Sequence, residues 1–263
     1  ITVQDNHLDL IQNLNYIPVG LGDNINSKLF IRDNIGRNIS QKNPFYGEYT
    51  FHYWLWQNKP EIFEDNKWIG FCQYRKFWTQ KYITQGLNDV NDLKNAIIDS
   101  IPTEYEEYEA ILGEPLFVNQ FRFSKFIKNN FATMIKNPSL FFNKQKRNLQ
   151  FHFDMMHGHG NLEKAINLLE PEEKKDFKFF VENSVSFNPH NMFICKSNKK
   201  LKKYYNSLFS WLEKCENEFG FNLEGYGMRR IYGFLAERYL SYWFQKYTKF
   251  KTMPILFKDI SDF

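Results

Sequence analysis

Glu48 and His52 stand four residues apart in a run crowded with aromatic side chains, from Phe45 through Tyr49 and Trp54 to Trp56. That spacing puts both on one face of a helix. An unpaired carboxylate among aromatics is costly to bury. Glu48 therefore either finds a donor such as Arg75 or a backbone amide, or acts on a substrate hydroxyl as general base or acceptor. Tyr74-Arg75-Lys76 follows the apolar piece Trp68-Ile69-Gly70-Phe71-Cys72 directly. An arginine at the carboxyl end of a strand matches phosphate oxygens with its fork and can stabilise a departing pyrophosphate; an ordinary surface arginine is the plainer reading. Arg230, Gly233 and Glu237 lie on one helical face, with the glycine leaving room between the charges. They form an ion pair or reach a common cleft. The stretch Phe151-His152-Phe153-Asp154-Met155-Met156-His157-Gly158-His159 holds three of the six histidines, and His157 and His159, at i,i+2 on a glycine-flanked loop with no third ligand nearby, are a weak metal signal. Asp154 or His157 contacting a sugar hydroxyl is the better use of it.

These side chains need elements to hold them. Residues 16–20 read as an edge strand because Pro18 cannot donate to a ladder, and 23–40 as a polar loop. Asn43-Pro44 opens a helix that Lys59-Pro60 closes, and its apolar residues cover nearly the whole circumference. Strands follow at 68–72, 108–113 and 191–195. Helices follow after Asn88, at 123–135, after Asn161, from Pro171, at 198–219 with Gly220 as its stop, and at 228–247 before a basic tail. Strands separated by helices, without repeat or linker, predict one α/β domain over residues 1–263, with a mainly parallel sheet flanked by helices.

A chain of 263 residues can bury a core unaided. Its aromatic content of 19% beside a mean hydropathy of −0.56 fits a soluble protein with an aromatic interior. No run approaches a membrane span and residues 1–10 carry no signal pattern, so a cytoplasmic location is expected. Cys72, Cys195 and Cys215 suit buried thiols better than a disulfide frame. The net charge is +4, with lysines clustered at 199–203, 174–178 and in the tail. They are read first as solvated helix faces, and second as attraction to a nucleotide diphosphate, a lipid pyrophosphate or an anionic membrane surface. Nucleic acid has no supporting motif. GxxxxGK[ST], GxGxxG after a strand and GxSxG are all missing, which counts against P-loop NTPase, dinucleotide dehydrogenase and α/β-hydrolase. Asp-x-Asp after an apolar strand is missing too.

Asn38-Ile39-Ser40, Lys42-Asn43, Tyr46, Glu48, Thr50, Tyr53-Trp54 and Trp56-x-Asn58, followed by Gly70-Phe71-x-x-Tyr74-Arg75-Lys76-Phe77, resemble the bacterial capsule and exopolysaccharide glycosyltransferases long described only as a domain of unknown function. His157 with Asn161-Leu162-Glu163, Asn191-Met192-Phe193-Ile194, and Arg230 with Gly233-Phe234-Leu235-Ala236-Glu237-Arg238 continue the likeness, in order, to about residue 245. The resemblance implies a GT-A-like nucleotide-diphospho-sugar transferase fold. It also implies transfer of a sugar from a nucleotide-diphosphate donor, expected to be a UDP-sugar, to a hydroxyl of a growing capsular or lipid-linked polysaccharide, at the inner face of the membrane if peripherally attached. Glu48 or Glu237 would deprotonate the acceptor, while Arg75 with Arg230 stabilises the diphosphate. Asn38, Ser40, Asn43, His52, Gln73, Tyr74, Asp154, His157 and Asn191 would contact substrate. Three positions depart from the pattern: Arg37 replaces an acidic residue, Gln73 replaces a histidine, and the threonine after Glu48 is displaced to Thr50. No metal ligands are assigned; a divalent cation, Mn²⁺ or Mg²⁺, stays open, with Glu109 or Glu114 the nearest carboxylates to hold one. Family members begin with one further strand, so a trimmed chain or a module of a longer polypeptide is expected. A non-catalytic glycan-binding module is the competing reading.

Overall fold

A computed structural model describes residues 1–120, 143 and 146–263. The helix expected at 123–135 lies outside the described residues. In chain order the described strands are β1 (Val19–Gly20), β2 (Ile31–Arg32), β3 (Trp68–Gly70), β4 (Lys76–Trp78), β5 (Ala110–Gly113), β6 (Leu116–Phe117), β7 (Ser186–Phe187), β8 (Phe193–Lys196), β9 (Phe250–Met253) and β10 (Ile255–Phe257). The helices are α1 (Leu8–Asn13), α2 (Asn43–Tyr46), α3 (Tyr49–Asn58), α4 (Val90–Ala96), α5 (Leu149–His157), α6 (Asn161–Asn167), α7 (Pro171–Asn183), α8 (Lys199–Phe219), α9 (Tyr226–Arg229) and α10 (Ile231–Tyr247).

The protein is α/β, and its central sheet, in the order β3-β8-β5-β9, is mixed. Among the described residues of this sheet only β5 and β9 run parallel; β8 is antiparallel to both of its neighbours. This corrects the mainly parallel sheet read from the alternation of strands and helices. The tail supplies the strand that alternation missed. Lys249 and Lys251 mask the period of Phe250-Lys251-Thr252-Met253, yet this segment is β9, and β10 after it pairs antiparallel with β4.

Two expected helices are broken where the site needs a turn. The aromatic helix divides at Gly47, whose φ of 60° is left-handed backbone that suits glycine. Asn43 secures the break, its Nδ2 donating to the Gly47 carbonyl at 3.0 Å. Glu48 is therefore the residue before α3 rather than one inside it. The last helix divides at Arg230, between α9 and α10. The core forms where α3, α8 and α10 meet the sheet. Tyr49 and Tyr204 share a hydroxyl hydrogen bond of 3.0 Å there, and Trp211 donates to the Ala165 carbonyl at 2.7 Å. Each large side chain fully buried in this core contributes roughly 1.5–3 kcal/mol.

Candidate functional site

The chain leaving β3 turns through Gln73 into β4, and Gln73 is the hub of a polar network. Its Nε2 donates to Glu48 Oε1 at 3.2 Å and to the His190 carbonyl at 2.9 Å, while its Oε1 accepts from Lys76 Nζ at 2.9 Å. Both amide hydrogens face acceptors and the oxygen faces an ammonium, so the orientation of the amide follows from its partners. The other oxygen of Glu48 faces Arg230 Nη2 at 3.6 Å. Arg230 is lodged against Gly47, where a Cβ would stand 2.1 Å from its Nη2. Lys76 is mostly withdrawn from water, and its pKa is lowered, first by burial; Glu48 and Glu237 oppose that shift, while Arg75 and Arg230 add to it. Two carboxylates and three cations thus share one electrostatic environment.

The opposite wall is the turn Asn188-Pro189-His190-Asn191, pinned at every polar residue. Asn188 N donates to Ser241 Oγ at 2.8 Å, and its Nδ2 donates to the Gly113 carbonyl at 2.7 Å. His190 N donates to Glu237 Oε1 at 2.6 Å, and Asn191 Nδ2 to the Gly233 carbonyl at 3.3 Å. His190 and Asn191 both have positive φ, 79° and 54°. Left-handed backbone outside glycine costs on the order of 1 kcal/mol or more, and persists where the surroundings over-determine it. Asn191 is buried and its Oδ1 has no hydrogen-bond partner among the described residues. Burial, with help from the charge of Lys76, lowers the His190 pKa to about 4, so its imidazole is neutral at pH 7.

Glu237 is committed to that wall. One oxygen holds His190 N, and the other accepts from Arg238 Nη1 at 2.6 Å. Arg238 is 1% exposed, lies over the Phe187 ring at 3.6 Å and reaches His152 Nδ1 at 3.3 Å. Removing one member of a buried ion pair leaves the other uncompensated. Glu237→Ala is accordingly expected to destabilise the fold by about 3–5 kcal/mol, read as a lower urea midpoint. An unchanged midpoint would mean that Arg238 finds water or another acceptor.

The sequence-derived residues separate into groups. Glu48, Gln73, Arg230 and Glu237 are joined in one polar network, Glu48 to Gln73 and Arg230, and Gln73 through His190 to Glu237, with Asn191 next to His190 in the same turn. Arg75 turns outward: it is exposed, 4.8 Å from the Tyr74 ring centroid and 4.0 Å from Asp259, while Arg230 is the arginine facing Glu48. Tyr74 is half-buried and packs on His7. Asn38 and Ser40 build the loop before α2, Asn38 Oδ1 accepting from Ser40 N at 3.2 Å and Oγ at 3.0 Å, and Asn43 serves the Gly47 turn. His52 does not share the exposure of Glu48. It is fully buried between Phe71 and Phe193, with Nδ1 2.8 Å from Tyr205 Oη, and presents no surface to a ligand. His157 is likewise buried, stacked on Phe234 with Nδ1 3.1 Å from the Gly227 carbonyl. Asp154 accepts from Gly160 N at 3.2 Å and meets His159 at 3.1 Å, which fastens the turn into α6. Lys76 and His190 were missed as site residues. The Asn-Pro-His-Asn run ahead of a buried strand was the available signal for the second.

Over residues 1–249 the sequence matches the family described as "Domain of unknown function (DUF4422)". The chain belongs to that family. The DUF4422 chain also resembles a solved structure, the WbbM bifunctional glycosyltransferase in its apo form, with a TM-score of 0.58 and 24% identity. The likeness, which is one of fold, covers 87% of this chain and 39% of that one, so the DUF4422 chain spans well under half the length of that protein. No curated protein matches the sequence.

Proposed function

We propose that this chain is a GT-A-type glycosyltransferase that moves a sugar from a nucleotide-diphosphate donor, a UDP-sugar, to a hydroxyl of a capsular or lipid-linked polysaccharide. The observation that carries the reading is Glu48, faced by Arg230 and joined through Gln73 to Lys76 at the start of β4. Such a set suits displacement at an anomeric carbon. The acceptor oxygen forms its bond to that carbon as the carbon–oxygen bond to the diphosphate breaks. The electron pair leaves on the phosphate oxygen beside Arg230 and Lys76, and the acceptor proton passes to Glu48. Glu237, with both oxygens engaged, holds the wall against which this happens.

A divalent cation does not fit the carboxylates first considered for it. Glu109 binds Lys200 at 2.6 Å and Lys249 N at 3.0 Å, and Glu114 accepts from Tyr82. Among the described residues no three His, Cys, Asp or Glu side chains converge as ligands would. Among those residues, too, no helix is long and apolar enough to cross a membrane. Several lysines of the basic clusters are ion-paired, Lys246 with Asp176 and Lys178 with Glu182 among them, which supports reading them as solvated faces.

Calorimetric titration of the protein with UDP, with and without Mn²⁺, tests the proposal. Heat of binding is expected for the wild type, with affinity about 10- to 100-fold weaker in Arg230→Ala, the loss expected for charge-assisted hydrogen bonds to phosphate. A wild type that gives no heat with UDP would return the chain to the glycan-binding reading.

A further inference from the structure

We infer that Phe257 is an acceptor platform: its ring takes the apolar face of a neutral hexopyranose beside the Glu48–Gln73–Lys76 network. The inference rests on the glycosyltransferase reading and adds to it a binding residue from outside the family match, which ends at residue 249. Phe257 is 60% exposed. A lone exposed phenylalanine means little by itself; the way this one is held is what gives it weight.

It stands in β10 directly opposite Lys76 of β4. The strand is fastened on both sides of it, by Thr79 N donating to the Pro254 carbonyl at 3.1 Å and by Lys258 N and Ile260 N donating to the Arg75 and Tyr74 carbonyls at 3.2 Å each. The ring therefore has a fixed base, and ordering its two side-chain torsions on binding costs little entropy. It lies perpendicular to His190, with centroids 5.0 Å apart and an interplanar angle of 82°, and Lys76 Nζ is 6.0 Å from its centroid. His190 is itself fixed through its backbone by Glu237 and Gln73.

The result is an open apolar ring beside a rigid wall of donors and acceptors. A pyranose has the matching two-sided character, with a face of C–H bonds and a rim of hydroxyls. With the C–H face on Phe257, its hydroxyls reach towards Lys76 and Glu48, where the transferred sugar has to arrive. A donor nucleobase also has a flat face, and the experiment separates the two.

Wild type, Phe257→Ala and Phe257→Trp are compared by calorimetry with UDP and by saturation-transfer NMR, in the presence of UDP, with a panel of methyl hexopyranosides. Because the ring is exposed, all three proteins are expected to unfold at the same temperature. The expected result is UDP affinity within about twofold in all three, with saturation of glycoside ring protons that falls about fivefold or more in Phe257→Ala and is retained in Phe257→Trp. Loss of UDP affinity in Phe257→Ala would assign the ring to the nucleobase and overturn the inference. So would an undiminished glycoside signal in that variant, or no signal from any glycoside with UDP-bound wild type. Absence of UDP binding by the wild type is the separate failure of the glycosyltransferase reading, and the platform falls with it.

Discussion

Glu48→Gln is expected to lower sugar transfer by about 10²- to 10⁴-fold while leaving affinity for UDP nearly unchanged. The substitution is close to isosteric. The new amide oxygen still accepts from Gln73 Nε2, so the 3.2 Å contact and the hub around it survive. The carboxylate's capacity to take the acceptor proton is lost, as is the negative charge 3.6 Å from Arg230. Freed of that charge, Arg230 has one fewer competitor for the diphosphate, so donor binding does not suffer. The proper comparison is Gln73→Leu, which keeps the carboxylate but removes the amide that orients it and leaves Lys76 Nζ without its acceptor. A fall in rate there, smaller than in Glu48→Gln, would mark Gln73 as a positioning residue. A folded Glu48→Gln enzyme that transfers sugar at the wild-type rate would remove Glu48 from the chemistry.

The distinction between Glu48 and Glu237 was not legible in the sequence. Both are carboxylates near arginines on helices, and both qualified as the base. What separates them is tertiary: Glu237 spends one oxygen on His190 N and the other on its buried neighbour Arg238, both at 2.6 Å, whereas the contacts of Glu48 with Gln73 and Arg230 are longer, at 3.2 Å and 3.6 Å. Arg75 and Arg230 exchanged roles for a similar reason. A residue directly after a strand projects into the crevice if the strand ends there, but here the chain turns through Gln73 and pairs with itself as β4, sending Arg75 outward. His52 shows the limit of helical periodicity. Four residues from Glu48 it should share a face, but Gly47 breaks the helix just before Glu48, so Glu48 lies outside the first turn while His52 points into the core. Local signals fared better where they were strong. Pro44, Gly220, Pro171 and the buried strand before Cys195 marked elements that the fold contains, because capping, chain breaking and a continuous apolar run depend little on partners. The two tail strands had no such signal, since their order comes from pairing with β4 and β5.

Acidification is expected to destabilise the protein from about pH 6.5 downward, starting well above the pH at which its surface carboxylates titrate. Burial lowers the pKa of His52, His152 and His157 to about 3, and that of His190 to about 4. The charge of Arg238 deepens the shift of His152 and His157. In the unfolded chain each imidazole titrates near 6.5. Between that value and the folded one, the unfolded state binds more protons, so folding stability is complete above about pH 6.5 and declines as pH falls towards 3. Each such histidine contributes a slope of up to about 1.4 kcal/mol per pH unit in that window. Asp33 and Asp154 act in the opposite sense: burial raises their pKa, so the folded state takes up their protons first and recovers part of the loss. Four imidazoles outweigh two carboxylates with smaller shifts. Urea midpoints measured at pH 7, 6, 5 and 4 should therefore fall steadily, with most of the stability gone by about pH 4. His52→Phe isolates one term, because the site is lined by Phe71, Phe193 and Tyr205 and accepts a ring, at the cost of the 2.8 Å contact to Tyr205. Its midpoint should depend on pH less steeply than the wild type's by about one proton's worth. Equal slopes in the two proteins would show that His52 stays uncharged in the unfolded chain or finds water in the folded one, and the argument from burial would fail at that residue.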